Sequence, residues 1–422
     1  MKNHILNRII KGTLSSQYGQ LITIAFQLIS VPVFLKYWGT DKYGEWLLLL
    51  TIPMFVSMME LGVFAVVVNR ITVGVSDGKR NIKTIASTLN SFIIYLIVSF
   101  LLLYTSLIFF ELGKDYYIYC LLISYSFALL LCNYYTTLTR VTKEYHFGTF
   151  VNHSIRLIEY VFIILSVYFK FEIITTILIM LIVRLSLVLF FSLYLMKRYY
   201  WLRLIGVSKF EFFSHLGGKK VFNYSLLPIS FLLNNQAPVL IIGYTLGNEY
   251  VVVFSTLRTF FRFLNQFVTS LTNSSWQEFS HLKIMNEMSK IKILLNKISL
   301  FSLLVSVIAF LSYVFFGPYI LECWLKGSLV YSEPVYLTLL LSIIMFTLWQ
   351  PYHVYLSATD NYNFHSRFYF VVQIFSMTAL FYFSSSLMAL SLILLVAELI
   401  MFIAVLFFVK FDFSRSVANG SS

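Results

Sequence analysis

Runs of 17–26 residues in which nearly every position is apolar recur along the whole chain, separated by short polar turns. Each run is close to the roughly 20 residues that carry an α-helix across a bilayer. The pattern predicts twelve spans, at 14–35, 44–67, 88–110, 116–138, 153–169, 172–196, 221–245, 249–274, 296–320, 333–357, 367–386 and 388–409. Hydrocarbon offers backbone N–H and C=O groups no partner, so the segments that cross it are helices or strands of a closed barrel. Barrel strands are about ten residues long and alternate in polarity, which these runs do not. The fold class that follows is an all-α polytopic membrane protein.

Positive charge orients the spans. With the N-terminus in the cytoplasm, 22 of the 31 lysines and arginines fall in cytoplasmic segments, and five (Lys36, Lys42, Lys114, Lys170 and Lys326) fall opposite. Loops rich in Lys and Arg stay on the cytoplasmic side, so both termini are expected there. The longest polar connection is basic and divides the spans six and six. The resulting organisation is a six-helix bundle over 1–196, a cytoplasmic linker over 197–220, a second six-helix bundle over 221–409 and a cytoplasmic tail over 410–422. Pro32, Gly39 and Tyr43 around the first loop are echoed by Pro238, Gly247 and Tyr250 around the seventh, at different spacings. Repeated halves are a common way of building transporters.

Composition agrees with this layout. Only 12% of residues are charged, about half of what a soluble surface needs, and the mean hydropathy is +0.82. A net charge of +13 raises the question of nucleic acid, but the positions of the charges make it a topology signal, so no nucleic-acid partner is expected. Cys120, Cys132 and Cys323 have no metal-ligand spacing, the seven histidines form no HExxH or similar pattern, and Gly217–Lys220 lacks the spacing and the Ser or Thr of a P-loop. No cofactor or metal is expected. The basic start (Lys2, Arg8, Lys11) precedes a full-length apolar run without a small-x-small cleavage site, so that run is expected to remain as the first helix.

Candidate chemistry lies where lipid should be. Glu60, Arg156, Glu159, Arg184, Arg258, Arg262 and Glu398 fall within predicted spans. Each costs about 2.5–3.5 kcal/mol at mid-membrane even on the mildest insertion scale. Seven such groups facing lipid would exceed the ~5–15 kcal/mol of a typical net stability, so most must face water or a partner. Arg258, Arg262, Gln266, Thr269 and Asn273 recur every three or four residues and share one helix face, with Asn265 beside it. Two arginines at i and i+4 repel, and together with the amides they suit the wall of an aqueous cavity better than a lipid contact. Snorkelling to an interface is the competing explanation.

Ser16, Gln20, Thr23, Gln27 and Ser30 form a neutral stripe on the first span, which interhelical hydrogen bonds explain as well as a lumen does. Pro53, Pro228, Pro238 and Pro351 interrupt spans, with Asn234, Asn235 and Gln236 near Pro238, and Gln350 and His353 flanking Pro351. Arg156 and Glu159, at i and i+3, are placed to neutralise each other. Glu60 and Glu398 have no such partner. An isolated carboxyl in a low-dielectric site is suited to proton exchange near neutrality, so both are candidates for ion coupling.

The first two spans carry a resemblance. Pro32, then Gly39–Thr40–Asp41–Lys42–Tyr43–Gly44–Glu45–Trp46, then Glu60–Leu61–Gly62 and Asn69 resemble Wzx-type O-antigen flippases, the polysaccharide transporters of the multidrug/oligosaccharidyl-lipid/polysaccharide (MOP) superfamily. Pro228 to Gly247 and Tyr250 are similar more loosely. The resemblance implies a MATE-like, V-shaped pair of six-helix bundles in the bacterial inner membrane, working by alternating access. The implied substrate is an undecaprenyl-diphosphate-linked oligosaccharide moved from the inner to the outer leaflet. Guanidinium pairs bidentately with phosphate oxygens, so Arg258 and Arg262, supported by Arg156 and Arg184, are candidates for the diphosphate. Gln27, Asn234, Asn235 and Gln350 would contact sugars, and Glu60 and Glu398 would couple H+ or Na+. Membrane lipid and polysaccharide polymerase or assembly proteins are the further partners implied.

Two other classes compete. A multidrug or cation antiporter of the same superfamily needs an acidic lumen, whereas arginine outnumbers glutamate four to three within these spans. A membrane enzyme such as an O-antigen polymerase presents a sizeable outer loop, and every outer loop here is short.

Overall fold

Among the residues that the computed structural model describes (2–57, 97–98, 100–101, 104–105, 116–141, 144–199, 218–285, 287–359, 362–383 and 385–420), every regular element is a helix. In chain order these are α1 (Lys2–Leu49), α2 (Thr51–Ser57), α3 (Tyr116–Val141), α4 (Tyr145–Tyr168), α5 (Ile173–Arg198), α6 (Gly218–Thr245), α7 (Asn248–Ile284), α8 (Met288–Leu325), α9 (Glu333–Ala358), α10 (Tyr362–Phe383) and α11 (Leu387–Gly420). Ten of the twelve predicted spans coincide with these helices to within a few residues at the apolar core. The far half of 44–67, including Glu60, and nearly all of 88–110 lie outside the described residues. Among the described residues eight helices are long and apolar enough to cross a membrane, and the chain is a multi-pass membrane protein. Several helices overrun their apolar cores: α8 has 38 residues, about 57 Å of helix at 1.5 Å per residue, nearly twice the hydrocarbon thickness.

The chain divides into two compact units, one of Met1–Lys42 with Leu49–Ser225 and the other of Tyr43–Leu48 with Leu226–Ser422. Tyr43–Leu48, which follows the break of α1 at Gly39, thus groups with the second unit. Within the first unit α3, α4 and α5 pack on one another, and α2 packs on α3. Within the second, α9 is the hub, packed by α7, α8 and α11 and more lightly by α10. Trp349, Tyr355 and Tyr369 sit in its core with Met401 and Val405 of α11, all fully buried.

The packing rule of the second unit reads clearly on α8. Ser302, Ser306, Ala309 and Gly317 are buried, while Ile308, Phe315 and Phe316 are 63%, 72% and 62% exposed. Small residues let helix backbones approach, and the large apolar side chains meet lipid, which solvates them as well as a core would.

Two glycines set the joints. α1 breaks at Gly39, with φ 77° and ψ −179°, and α7 begins after Gly247, with φ 99° and ψ 173°. This region of backbone space is essentially open to glycine alone. The echo between Gly39 and Gly247 is therefore one of conformation as well as of residue type. Prolines inside helices are managed differently. Pro351 has no N–H for the carbonyl of Thr347, four residues before it, and Ser302 of α8 donates to that carbonyl at 2.9 Å. Of the short turn expected at Ser384–Ser386, Ser384 lies outside the described residues; Ser385 and Ser386 precede α11, where the backbone N–H of Ala389 donates to Ser386 Oγ at 3.2 Å.

Candidate functional site

The richest buried polar network lies in the second unit, where α6, α7, α9, α10 and α11 each contribute a side chain. Glu398 of α11 is 3% exposed, and each of its oxygens is held. Asn234 Nδ2 of α6 donates to Oε1 at 2.8 Å and Trp349 Nε1 of α9 donates to Oε2 at 2.7 Å. Asn234 Nδ2 also reaches the hydroxyl of Tyr369 on α10 at 3.3 Å. Glu398 thus makes no ion pair among the described residues, but it is not without partners. Neutral donors hold it, which orients the group without cancelling its charge.

Arg258 and Arg262 of α7 turn inward against α6. Arg258 donates to the backbone carbonyls of Asn234 and Asn235, each at 2.7 Å, and to Asn235 Oδ1 at 3.0 Å. Arg262 donates to the same Asn235 Oδ1. Neither guanidinium has a carboxylate within ion-pair range among the described residues; the three ion pairs there are Arg184–Glu159, Arg198–Glu144 and Lys290–Glu287. Both arginines are instead tied by hydrogen bonds to α6 of their own unit.

Between these groups lies a cavity of about 30 Å³ bordered by Asn234, Arg258, Arg262, Asn265, Ser342 and Glu398, with Phe254 and Phe346 as apolar wall. That volume accommodates about two water molecules. With Glu398 ionised the cavity is bordered by one net positive charge, and with Glu398 protonated by two. Donors outnumber acceptors, so the chemistry suits an oxyanion. Gln350 of α9 accepts from Thr269 of α7 at 3.0 Å, and Thr269 in turn bonds Asn265 Oδ1 at 2.9 Å. The amide oxygen of Gln266 is buried without a partner among the described residues.

The first unit holds a second cluster. Glu159 of α4 and Arg184 of α5 form an ion pair with both side chains 2% exposed. The hydroxyl of Tyr125 on α3 donates to Glu159 and accepts from Arg184 Nη2 at 3.3 Å. The expected pairing of Glu159 with Arg156 is corrected here. α5 packs on α4 and delivers Arg184 into the buried plane of the carboxylate, whereas Arg156 stays half-buried on α4 and makes no ion pair among the described residues.

No family model matches the chain, and no curated protein matches it. Solved structures do. One described as the inward-facing conformation of a multidrug resistance MATE family transporter of the MOP superfamily is 13% identical, with 94% of this chain and 96% of that one covered at a TM-score of 0.66. The lipid II flippase MurJ in an inward closed conformation is 13% identical, covering 94% and 87% at 0.70. A MATE transporter of Vibrio cholerae is 12% identical, covering 98% of each chain at 0.57. The fold is that of MATE transporters and MurJ.

On this MATE-like fold the sequence-predicted site residues separate into three groups. Arg258, Arg262, Asn234 and Glu398 come together at one cavity, with Asn235 directly behind it and Gln350 joined to it through Thr269 and Asn265. Arg156, Arg184 and Gln27 belong to the other unit, where the Gln27 amide oxygen is buried without a partner among the described residues. Glu60 lies outside the described residues. Sequence reasoning missed Trp349 and Tyr125, aromatic residues that hold the carboxylates, and Tyr369, whose hydroxyl accepts from Asn234 beside Glu398. In a chain with 29 tyrosines and six tryptophans, aromatic side chains carry no local mark of such a role. It also missed the hydrogen bond of 2.7 Å between His353 Nδ1 and His365 Nε2, which joins α9 to α10.

Proposed function

We propose that this chain is a flippase of the MOP superfamily, moving an undecaprenyl-diphosphate-linked oligosaccharide from the inner to the outer leaflet of the bacterial inner membrane. The observation that carries the reading is the pair Arg258 and Arg262, turned into the bundle beside a cavity and without a carboxylate in ion-pair range among the described residues. Uncompensated guanidinium in a membrane interior is costly, and a phosphate ligand repays that cost through bidentate, charge-assisted hydrogen bonds. The cavity as it stands has room for only about two water molecules, so a diphosphate enters a more open state of the same residues, as alternating access requires.

Arg156, without an ion pair among the described residues, is the candidate cation of the first unit. Arg184, already neutralised by Glu159, is assigned to stability. Gln27 and Gln350, with the Asn234 and Asn235 amides once the site opens, would face sugars. Glu398, whose charge sets the cavity's balance, would couple H+ or Na+, with Glu60 as its counterpart in the first half. Membrane lipid surrounds the tail of the substrate, and polymerase or assembly proteins receive the product. No catalytic residue is assigned: the chain acts as a transporter.

MATE transporters of the same fold supply the second reading, a multidrug or cation antiporter. The balance of two guanidiniums to one carboxylate at the cavity disfavours a cationic ligand, because like charge repels. The test is export. In the cell of origin, Arg258→Ala or Arg262→Ala, at unchanged protein level, should lower surface polysaccharide about tenfold or more and accumulate the lipid-linked precursor in the inner leaflet. Unchanged export in both variants overturns the reading, and drug sensitivity without a polysaccharide defect favours the antiporter.

A further inference from the structure

Pro238 lies inside α6, which continues as helix on both sides of it. In an α-helix the N–H of residue 238 would bond the carbonyl of residue 234, and proline has none; its ring also crowds that carbonyl. The carbonyl of Asn234 is therefore an orphan acceptor in a buried place, and an orphan acceptor there requires a donor from elsewhere. Arg258 supplies it: Nη2 lies 2.7 Å from the Asn234 carbonyl and Nη1 lies 2.7 Å from that of Asn235. The planar fork spans the two successive carbonyls one turn before Pro238 as it would span the two oxygens of a carboxylate. Pro351 and Ser302 make the same arrangement in the same unit, with a hydroxyl in place of the guanidinium.

Arg262 is engaged otherwise. Among the described residues it makes a single hydrogen bond, to Asn235 Oδ1, and a guanidinium has five N–H donors. It borders the cavity, and its position depends on Asn235, whose side-chain oxygen also accepts from Arg258 at 3.0 Å. The two arginines, one helical turn apart and alike in sequence, thus have different surroundings.

We propose that Arg258 is a positioning residue that braces the backbone left open by Pro238 and so fixes Asn235, and that Arg262 is the cation presented to a phosphate oxyanion. The division of labour rests on the phosphate reading given above for its second half and on the hydrogen-bond geometry at the Asn234 carbonyl alone for its first. It makes Pro238 and Arg258 one unit. Replacing Pro238 returns a backbone N–H to the Asn234 carbonyl, so the brace becomes dispensable.

The experiment is a pair of double-variant cycles on the full-length protein in lipid nanodiscs, read by thermal unfolding and by calorimetric titration with inorganic pyrophosphate. Arg258→Ala is expected to lower both thermal stability and pyrophosphate affinity, the latter about tenfold. Pro238→Ala in the same chain is expected to restore most of both. Arg262→Ala is expected to lower affinity about tenfold or more with either residue at 238, and to show no coupling with Pro238 in stability. If Pro238→Ala fails to rescue the affinity of Arg258→Ala, Arg258 contacts the anion itself and the division is wrong. If the stability cycle shows no coupling between Arg258 and Pro238, the brace is wrong. A wild-type protein that does not bind pyrophosphate removes the phosphate reading, and with it the role of Arg262, while the stability cycle still decides that of Arg258.

Discussion

Three carboxylates and four arginines inside the predicted spans set the problem at the scale of the residue, and the structure answers it residue by residue. Glu159 and Arg184 answer it by pairing. Breaking a buried pair from one side leaves a bare charge and costs about 3–5 kcal/mol, whereas replacing both partners with groups of similar volume is often neutral. Glu159→Gln should therefore destabilise the protein by that amount, and Glu159→Gln with Arg184→Met should recover most of it, as read by thermal unfolding in detergent. Equal losses in the single and double variants would mean that the pair is held by other contacts. Glu398 is different, because Asn234 and Trp349 hold it without neutralising it. Glu398→Gln turns one acceptor oxygen into an NH₂ facing a donor, so about 1–3 kcal/mol of stability should be lost, together with the charge proposed for coupling. Export that persists at full rate in this variant would remove Glu398 from the coupling role.

Helices in this protein bend and end where the backbone chemistry demands. Gly39 and Gly247 share a conformation with positive φ and extended ψ, so Gly39→Ala and Gly247→Ala should each cost about 1–3 kcal/mol in a thermal melt. An unaffected Gly39→Ala would show that the break in α1 does not depend on that conformation. Ser302→Ala should leave the Thr347 carbonyl without its donor, at about 1–3 kcal/mol, and Pro351→Ala should offset the loss by restoring a backbone N–H. Apolar periodicity made the helices legible, since the length of a hydrocarbon-spanning run is set by the bilayer. Their ends were less legible, because α7, α8 and α11 continue past the apolar core as polar or mixed helix. Beyond the hydrocarbon, hydrogen bonding rather than hydropathy decides where a helix stops.

For the whole molecule, the asymmetry of positive charge makes a prediction independent of any site. With the native cysteines replaced, a cysteine at Arg203 should react with a membrane-impermeant maleimide only after the cells are opened. A cysteine at Lys326 should react in intact cells. The reverse pattern would invert the assigned topology. The fold shared with MATE transporters and MurJ at 11–13% identity has the same physical root: a layout of apolar spans survives replacement of nearly every side chain, since lipid does not discriminate among leucine, isoleucine and phenylalanine.

Much of the candidate site could be read one helix at a time. The stripe of Arg258 and Arg262 on α7 and the amides of α6 were visible as polar positions at helical spacing, because facing one way along a helix is a local property. The partners were not visible. Asn234 meets Glu398 from 164 positions away and Tyr125 meets Glu159 from 34, and sequence spacing says nothing about which helices pack together. The one local pairing that spacing did suggest, Arg156 with Glu159, lost to Arg184 from a neighbouring helix. The sequence by itself determined that the chain is helical, that it lives in lipid and that charged groups must be hidden inside it, because solvation by hydrocarbon acts on each segment separately. Only the tertiary structure decided which carboxylate is neutralised, which arginine braces the backbone before a proline and which borders a cavity, because those outcomes depend on contacts between helices far apart in the chain.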